Sequence, residues 1–142
     1  MFANPPPEQI AALLRRASII AVVGLSADPT RPSHGVARAL QRFGYRIIPV
    51  TPVAETILGE VAVPALAQLP EVLASDERVD IVDVFRRPQY VAGVVDECLR
   101  LRLPALWLQE GVIDEVAAER ARKAGIFTVM DRCIFKGRAA LR

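Results

Sequence analysis

The sequence is poor in the side chains that build metal sites and disulfide frameworks. It has two cysteines, Cys98 and Cys133, and one histidine, His34. Two cysteines so far apart match neither a disulfide scaffold nor a cysteine-rich metal motif. A single histidine excludes a site built from several histidines, and we identify no Ser–His–Asp arrangement around it. We therefore expect no metal centre and no catalytic residue of these classes.

Long apolar runs are also missing. The strongest, residues 17–25, is far shorter than the roughly 20 residues that a membrane-spanning helix needs. The first residues, MFANPPPEQ, have neither the basic start nor the apolar core of an export signal. We therefore expect a cytoplasmic protein that does not associate with membranes.

Charge of one sign does not dominate. The chain has 18 Lys and Arg against 16 Asp and Glu, a formal net charge of +2, and the basic residues are scattered. Nucleic-acid binding calls for a concentrated basic face, so we expect no nucleic-acid partner. A protein partner or self-association is left open by the sequence.

Five short apolar segments alternate with helical patterns along the 142 residues, of which 52% are hydrophobic. The segments are 18–24, 45–50, 79–85, 104–108 and 126–130, and their lack of polar alternation is typical of strands buried on both faces. We predict one α/β domain over residues 1–142. Its fold is Rossmann-like and doubly wound, with a mainly parallel sheet of five or six strands and helices on both faces.

Capping residues place the helices between these strands. Ser33 is predicted to N-cap the helix after the first strand, and Pro88 and Asp114 to begin later helices. The apolar stripe of the Ser33 helix is predicted to consist of Val36, Ala39, Leu40 and Phe43. Residues 53–78 are less regular, and we expect a short strand at 61–63 and a short helix at 66–73.

The first strand runs into a glycine loop and then a helix, VVGLSADPTRPSHGVARAL at 22–40. Ligands of parallel α/β sheets bind at the carboxyl ends of the strands, and helix N-termini favour phosphate. Arg31, Arg86 and Arg87 follow strand ends and would add charge-assisted contacts. A nucleotide-like ligand is indicated.

A dinucleotide cofactor fits this loop poorly. Only Gly24 and Gly35 lie in it, against the three closely spaced glycines of the dinucleotide fingerprint. The second strand ends in Val50-Thr-Pro52, where an acidic residue for the ribose hydroxyls is expected.

Several motifs in order resemble the small stand-alone CoA-binding proteins. They are GLS at 24–26, RPS at 31–33, IPVTP at 48–52, ILG at 57–59, VDVFRRP at 82–88, WLQEGV at 107–112 and VMDRC at 129–133. That family is similar to the CoA-binding Rossmann domain of the succinate–CoA ligase α subunit, and the resemblance covers roughly residues 10–135.

The resemblance implies CoA or acyl-CoA lying across the strand ends. The first loop and the Ser33 helix would hold phosphate, the 50–52 turn would flank adenosine, and 85–87 and 109–111 would line the rest. The residues expected around the ligand are Gly24, Leu25, Ser26, Arg31, Ser33, His34, Val50, Pro52, Phe85, Arg86, Arg87, Gln109 and Gly111. Relatives commonly have a lysine just after the position of Pro52; here Val53 and Ala54 follow, which leaves that contact absent or supplied by an arginine.

Four other residues carry separate expectations. Cys98 lies on an apolar helix stripe and Trp107 in a central strand, so both are predicted to be core residues. Asp83 sits in a buried strand and is interpreted as structural, its charge paired with a neighbouring turn. Cys133 is interpreted as a half-buried packing residue, or alternatively as a thiol beside the CoA sulfur that forms a mixed disulfide.

The expected function is that of a CoA-binding protein, more consistent with a carrier, sensor or regulatory module than with an enzyme. Two alternatives stay open. One is an NAD(P)-linked oxidoreductase with a divergent phosphate loop. The other is a subunit of a larger acyl-CoA enzyme.

Overall fold

Five parallel strands form the central sheet of the computed structural model, which describes residues 1–142. In chain order they are β1 (Ile19–Val23), β2 (Arg46–Val50), β5 (Ile81–Val84), β6 (Ala105–Leu108) and β7 (Phe127–Val129). Each lies within a segment predicted to be a strand, because runs of apolar residues suit a sheet that is covered on both faces. The strand order is β2-β1-β5-β6-β7. The Rossmann-like α/β fold predicted from the sequence is therefore confirmed.

Helices cover both faces of this sheet. They are α1 (Pro7–Arg16), α2 (Pro32–Arg42), α3 (Val91–Arg100), α4 (Glu115–Lys123) and α5 (Ile134–Ala139). Buried residues of α1, α2 and α5 pack with one face of the sheet, and those of α3 and α4 with the other. No helix of the protein has both the length and the apolar character needed to cross a membrane.

Residues 53–78 are as irregular as predicted, with shorter elements than expected. A small antiparallel pair joins β3 (Thr56–Ile57) to β4 (Glu60–Val61), and Val63 makes a single parallel bridge to Val50. The expected helix is a 3₁₀ helix at Leu66–Glu71, which contains Pro70. Helix α5 was not predicted, because its six residues are too few for a periodic pattern to stand out.

The predicted cap of α2 was wrong, and its predicted apolar stripe was right only in part, since Leu40 is buried and Val36 packs against the core. Its N-cap is Arg31, and Ser33 is the second helical residue, because Pro32 occupies the first position. The buried stripe runs through Ser33, Ala37 and Leu40, whereas Phe43 at the end of the predicted stripe is 38% exposed. Two later helix starts are closer to prediction: Asp114 caps α4 through Ala117 N–H, and Pro88 opens a 3₁₀ turn before α3.

Asp83 is buried in β5 without a hydrogen-bond partner. Its register neighbours, Val22 in β1 and Trp107 in β6, lie in the apolar layer beneath α1, α2 and α5, so its carboxyl group faces that layer. Both carboxyl oxygens are unpaired, and burial raises the pKa of Asp83 well above its usual value. The predicted pairing with a turn was wrong. Trp107 and Cys98 are core residues, as predicted.

Candidate functional site

A cleft of about 790 Å³ opens at the carboxyl ends of β1, β5 and β6. In a sheet of this order the chain continues from β1 to β2 on one side and returns to β5 on the other. The ends of β1 and β5 therefore form the switch point where ligands of open α/β sheets bind. The sequence predicted a site at this rim, and the strand order gives its centre.

Most residues proposed for the site line this one cleft, although they come from four separate segments. They are Gly24, Ser26, Arg31, Ser33, Phe85, Arg86, Arg87, Gln109 and Gly111.

The other four do not line it. The side chains of Leu25 and Val50 are buried in the core, so at most their backbones face the rim. His34 is the third residue of α2 and lies outside the lining, and Pro52 is exposed in the turn after β2.

Gly24 makes the floor of the cleft. Its φ is +83°, a conformation that favours glycine, and a β-carbon there would overlap the carbonyl oxygen of Phe85. Its N–H donates to the Val50 carbonyl at 2.9 Å. Bare backbone at this position lets β1 and β5 come together and leaves the space above them open.

The loop between Gly24 and α2 is held by its own side chains. The Ser33 hydroxyl, 5% exposed, accepts a hydrogen bond from Ser26 N–H at 3.0 Å. Thr30 donates to Asp28 through its N–H and its hydroxyl, which lowers the pKa of Asp28. The loop therefore has a defined shape above the start of α2. The O–H of Ser33 still has a hydrogen to donate, and Ser33 lines the cleft.

Three arginines give the cleft its positive charge. Arg31, Arg86 and Arg87 all line it, and none of them forms a salt bridge with a carboxylate of the protein. The Arg86 guanidinium lies 4.3 Å from the centre of the Tyr90 ring, a cation–π contact that fixes its direction. Unpaired guanidinium groups around a helix N-terminus suit an anion with several phosphate oxygens.

Gln109 links the cleft to α5. Its side chain is 4% exposed, and its Oε1 accepts a hydrogen bond from Ile134 N–H at 3.0 Å. The bond satisfies the first backbone donor of α5, immediately after Cys133. Gln109 was predicted as a ligand contact; the structure gives its oxygen a structural partner and leaves the amide nitrogen as the part able to meet a ligand.

Sequence reasoning missed six lining residues. They are Pro32, Val36, Pro88, Glu110, Val112 and Cys133. Glu110 lies between Gln109 and Gly111, which were predicted, and its carboxylate pairs with Lys136 at 3.2 Å. Cys133 was considered only as an alternative; it is a free, half-buried thiol.

Comparison with known proteins gives a family match over most of the chain. The model of a CoA-binding domain family matches residues 18–137. The uncharacterized protein YneT of Bacillus subtilis (strain 168) is 41% identical over 131 residues, which are 92% of this chain and 93% of YneT.

Solved structures share the fold along nearly the whole chain. The protein of cell-free ID.343 from Thermus thermophilus has a TM-score of 0.86 and 38% identity, covering 95% of this chain and 98% of that one. The dinucleotide-forming acetyl-coenzyme A synthetase 1 of Ca. Korarchaeum cryptofilum matches 78% of this chain and 25% of its own, with a TM-score of 0.64 and 23% identity. At that identity the match shows the fold alone.

Proposed function

The chain belongs to the CoA-binding domain family, and from that membership we propose that it binds CoA or acyl-CoA in the cleft at the ends of β1, β5 and β6 as a carrier, sensor or regulatory module. The observation that carries the proposal is the set of three arginines without carboxylate partners, Arg31, Arg86 and Arg87, around the start of α2. CoA carries a diphosphate and a 3′-phosphate, so it needs cationic and backbone donors at its nucleotide end.

The walls of the cleft suit the different parts of CoA. The Ser33 hydroxyl and the free N–H groups at the start of α2 are donors for phosphate oxygens. The amide nitrogen of Gln109 and the backbone of residues 109–111 are polar partners for the amides of the pantetheine arm. The half-buried thiol of Cys133 lines the same cleft and precedes Ile134, whose N–H donates to Gln109; we propose that the CoA sulfur lies beside it.

A dinucleotide cofactor is less well supported by the same walls. The only acidic residue in the cleft lining is Glu110, whose carboxylate is paired with Lys136. A free ribose diol is usually gripped by a carboxylate at the end of the second strand, and here Thr51 and Pro52 occupy that position.

Calorimetric titration of the purified protein with CoA, and in parallel with NAD⁺, tests the proposal. We expect saturable heat with CoA and none with NAD⁺. Selective heat with NAD⁺ would support the oxidoreductase alternative, and no heat with either ligand would overturn CoA binding. Co-purification with a second protein that has catalytic activity on acyl-CoA would instead support the alternative that this chain is a subunit of a larger acyl-CoA enzyme.

A further inference from the structure

A second cleft, of about 770 Å³, lies between α1 and α5 and meets the first. Glu110 and Cys133 line both clefts, so the two form adjoining spaces on either side of the loop that starts α5. Resting on the proposed function, we infer that the ligand is an acyl-CoA thioester whose acyl group lies in this second cleft, with the thioester sulfur beside Cys133.

The second cleft has more hydrophobic lining residues than the first, seven of 15 against four of 15. Its apolar side chains are Ile10 and Ala11 of α1 on one wall and Leu141 on the other, with Leu14 and Trp107 buried beneath them. Asn4, Asp131, Arg132 and Lys136 also line it. An anion fits the first cleft and a straight hydrocarbon chain fits the second, because each would bury groups of its own polarity.

Gly137 of α5 lies over the floor of the second cleft. A β-carbon on Gly137 would lie 3.4 Å from the Leu14 side chain and 3.6 Å from the Trp107 ring, which are ordinary contact distances. Leu14 and Trp107 are each 1% exposed, so they close the floor of the cleft. The apolar surface left for an occupant is that of the half-buried residues Ile10, Ala11 and Leu141.

The charged residues of the second cleft include the pair at its junction with the first. Glu110 and Lys136 form an exposed ion pair at 3.2 Å, and Glu110 belongs to both linings. The indole N–H of Trp107 is bonded to the Arg132 carbonyl at 2.9 Å, and the ring is 1% exposed. Ile10, Ala11 and Leu141 line the second cleft and not the first, so the chain following a thioester at the junction would continue along them.

The experiment compares affinities for CoA and for acetyl-, butyryl-, hexanoyl- and octanoyl-CoA by calorimetry. Each methylene that enters the cleft should tighten binding by about threefold to fourfold, until the cleft is filled. Equal affinity for CoA and all of the thioesters would overturn the acyl site while leaving CoA binding intact. No binding of any of them would overturn the proposed function and the acyl site together.

A matched pair of variants on α1 tests the location. Ala11 lines the second cleft, and Ala12, the next residue, is exposed outside it. Ala11→Phe should remove the gain with chain length and keep the affinity for CoA, which also reports that the variant is folded. Ala12→Phe should keep both. If affinity still rises with acyl-chain length in Ala11→Phe, or if both variants abolish that rise, the acyl group lies elsewhere. If Ala11→Phe does not fold, Ala11→Leu replaces it under the same criteria.

Discussion

A β-carbon on Gly24 would overlap the carbonyl oxygen of Phe85. The overlap arises because β1 and β5 are adjacent and continue to pair past their ends, Phe85 N–H donating to the Val23 carbonyl at 2.9 Å. The floor of the candidate site is thus formed by two backbones in direct approach. Any side chain at residue 24 would have to push the ends of the two central strands apart.

Gly24→Ala should therefore damage the site and the fold together. We expect a loss of at least about 2 kcal/mol in the free energy of unfolding, from the positive φ and from the overlap. Gly35→Ala is the matched control, since a β-carbon there meets nothing within 4 Å and alanine favours the helix. Denaturant titration of both variants is the measurement. Equal midpoints for wild type and Gly24→Ala would contradict the prediction.

Arg86→Ala should weaken CoA binding roughly tenfold or more, because a charge-assisted contact to phosphate contributes about 1.5–3 kcal/mol. The control is Arg38→Ala, an exposed arginine on α2 outside the cleft. Calorimetry at low and moderate salt measures both affinities. Unchanged affinity in Arg86→Ala, or the same loss in Arg38→Ala, would remove Arg86 from the site.

Asp83 should make the protein less stable as pH rises. Burial raises its pKa, so above about pH 4 the folded state holds a proton that the unfolded state releases. Its contribution is fully present below the unfolded pKa and is lost as pH rises toward the folded pKa. The asparagine in Asp83→Asn cannot titrate. As pH rises, the free energy of unfolding of this variant should therefore increase relative to that of wild type, by up to about 1.4 kcal/mol per pH unit.

Denaturant titrations of wild type and Asp83→Asn between about pH 4 and pH 8 test this. The contrasting variant is Asp80→Asn, because the Asp80 carboxylate accepts the N–H groups of Ser18 at 2.7 Å and Ile19 at 3.0 Å. That variant should lose about 1 kcal/mol. If the difference in free energy of unfolding between wild type and Asp83→Asn does not change with pH, Asp83 is not buried in its neutral form.

The strands were predictable because burial on both faces requires continuous apolar runs, which sequence displays directly. The order of the strands in the sheet could not be predicted in the same way. It depends on the side of the sheet to which each crossover connection brings the next strand. The start of α2 was predictable from its proline, since Pro32 marks the first turn of the helix and excludes Ser33 as its cap.

The candidate site was predictable at the strand ends and less so between them. Residues that follow a strand, such as Gly24 and Phe85, reach the rim wherever the strand lies in the sheet. Cys133 and Glu110 line both clefts because the segment before α5 folds back against the end of β6. Hydrogen bonds from Ile134 N–H to Gln109 and from the Trp107 indole to the Arg132 carbonyl hold it there. The spacing of these residues along the sequence does not predict those contacts.

Cys133 should exchange with CoA disulfide, and Cys98 should not. The Cys133 thiolate attacks one sulfur of the CoA disulfide, a new bond joins Cys133 to CoA, and the second CoA leaves as a thiolate, so no further oxidant is needed. Cys98 is fully buried, so the disulfide cannot reach it. Burial also raises the pKa of Cys98 to about 12, so little of the reactive thiolate forms. Mass spectrometry of peptides locates the adduct.

Alkylation of Cys133 by iodoacetamide is the control for accessibility. The Arg86→Ala variant should react more slowly with CoA disulfide, because that reaction depends on binding at the arginines. Its rate of alkylation by iodoacetamide should not change. A Cys133 that iodoacetamide alkylates but CoA disulfide ignores would mean that the CoA sulfur does not reach the junction of the two clefts.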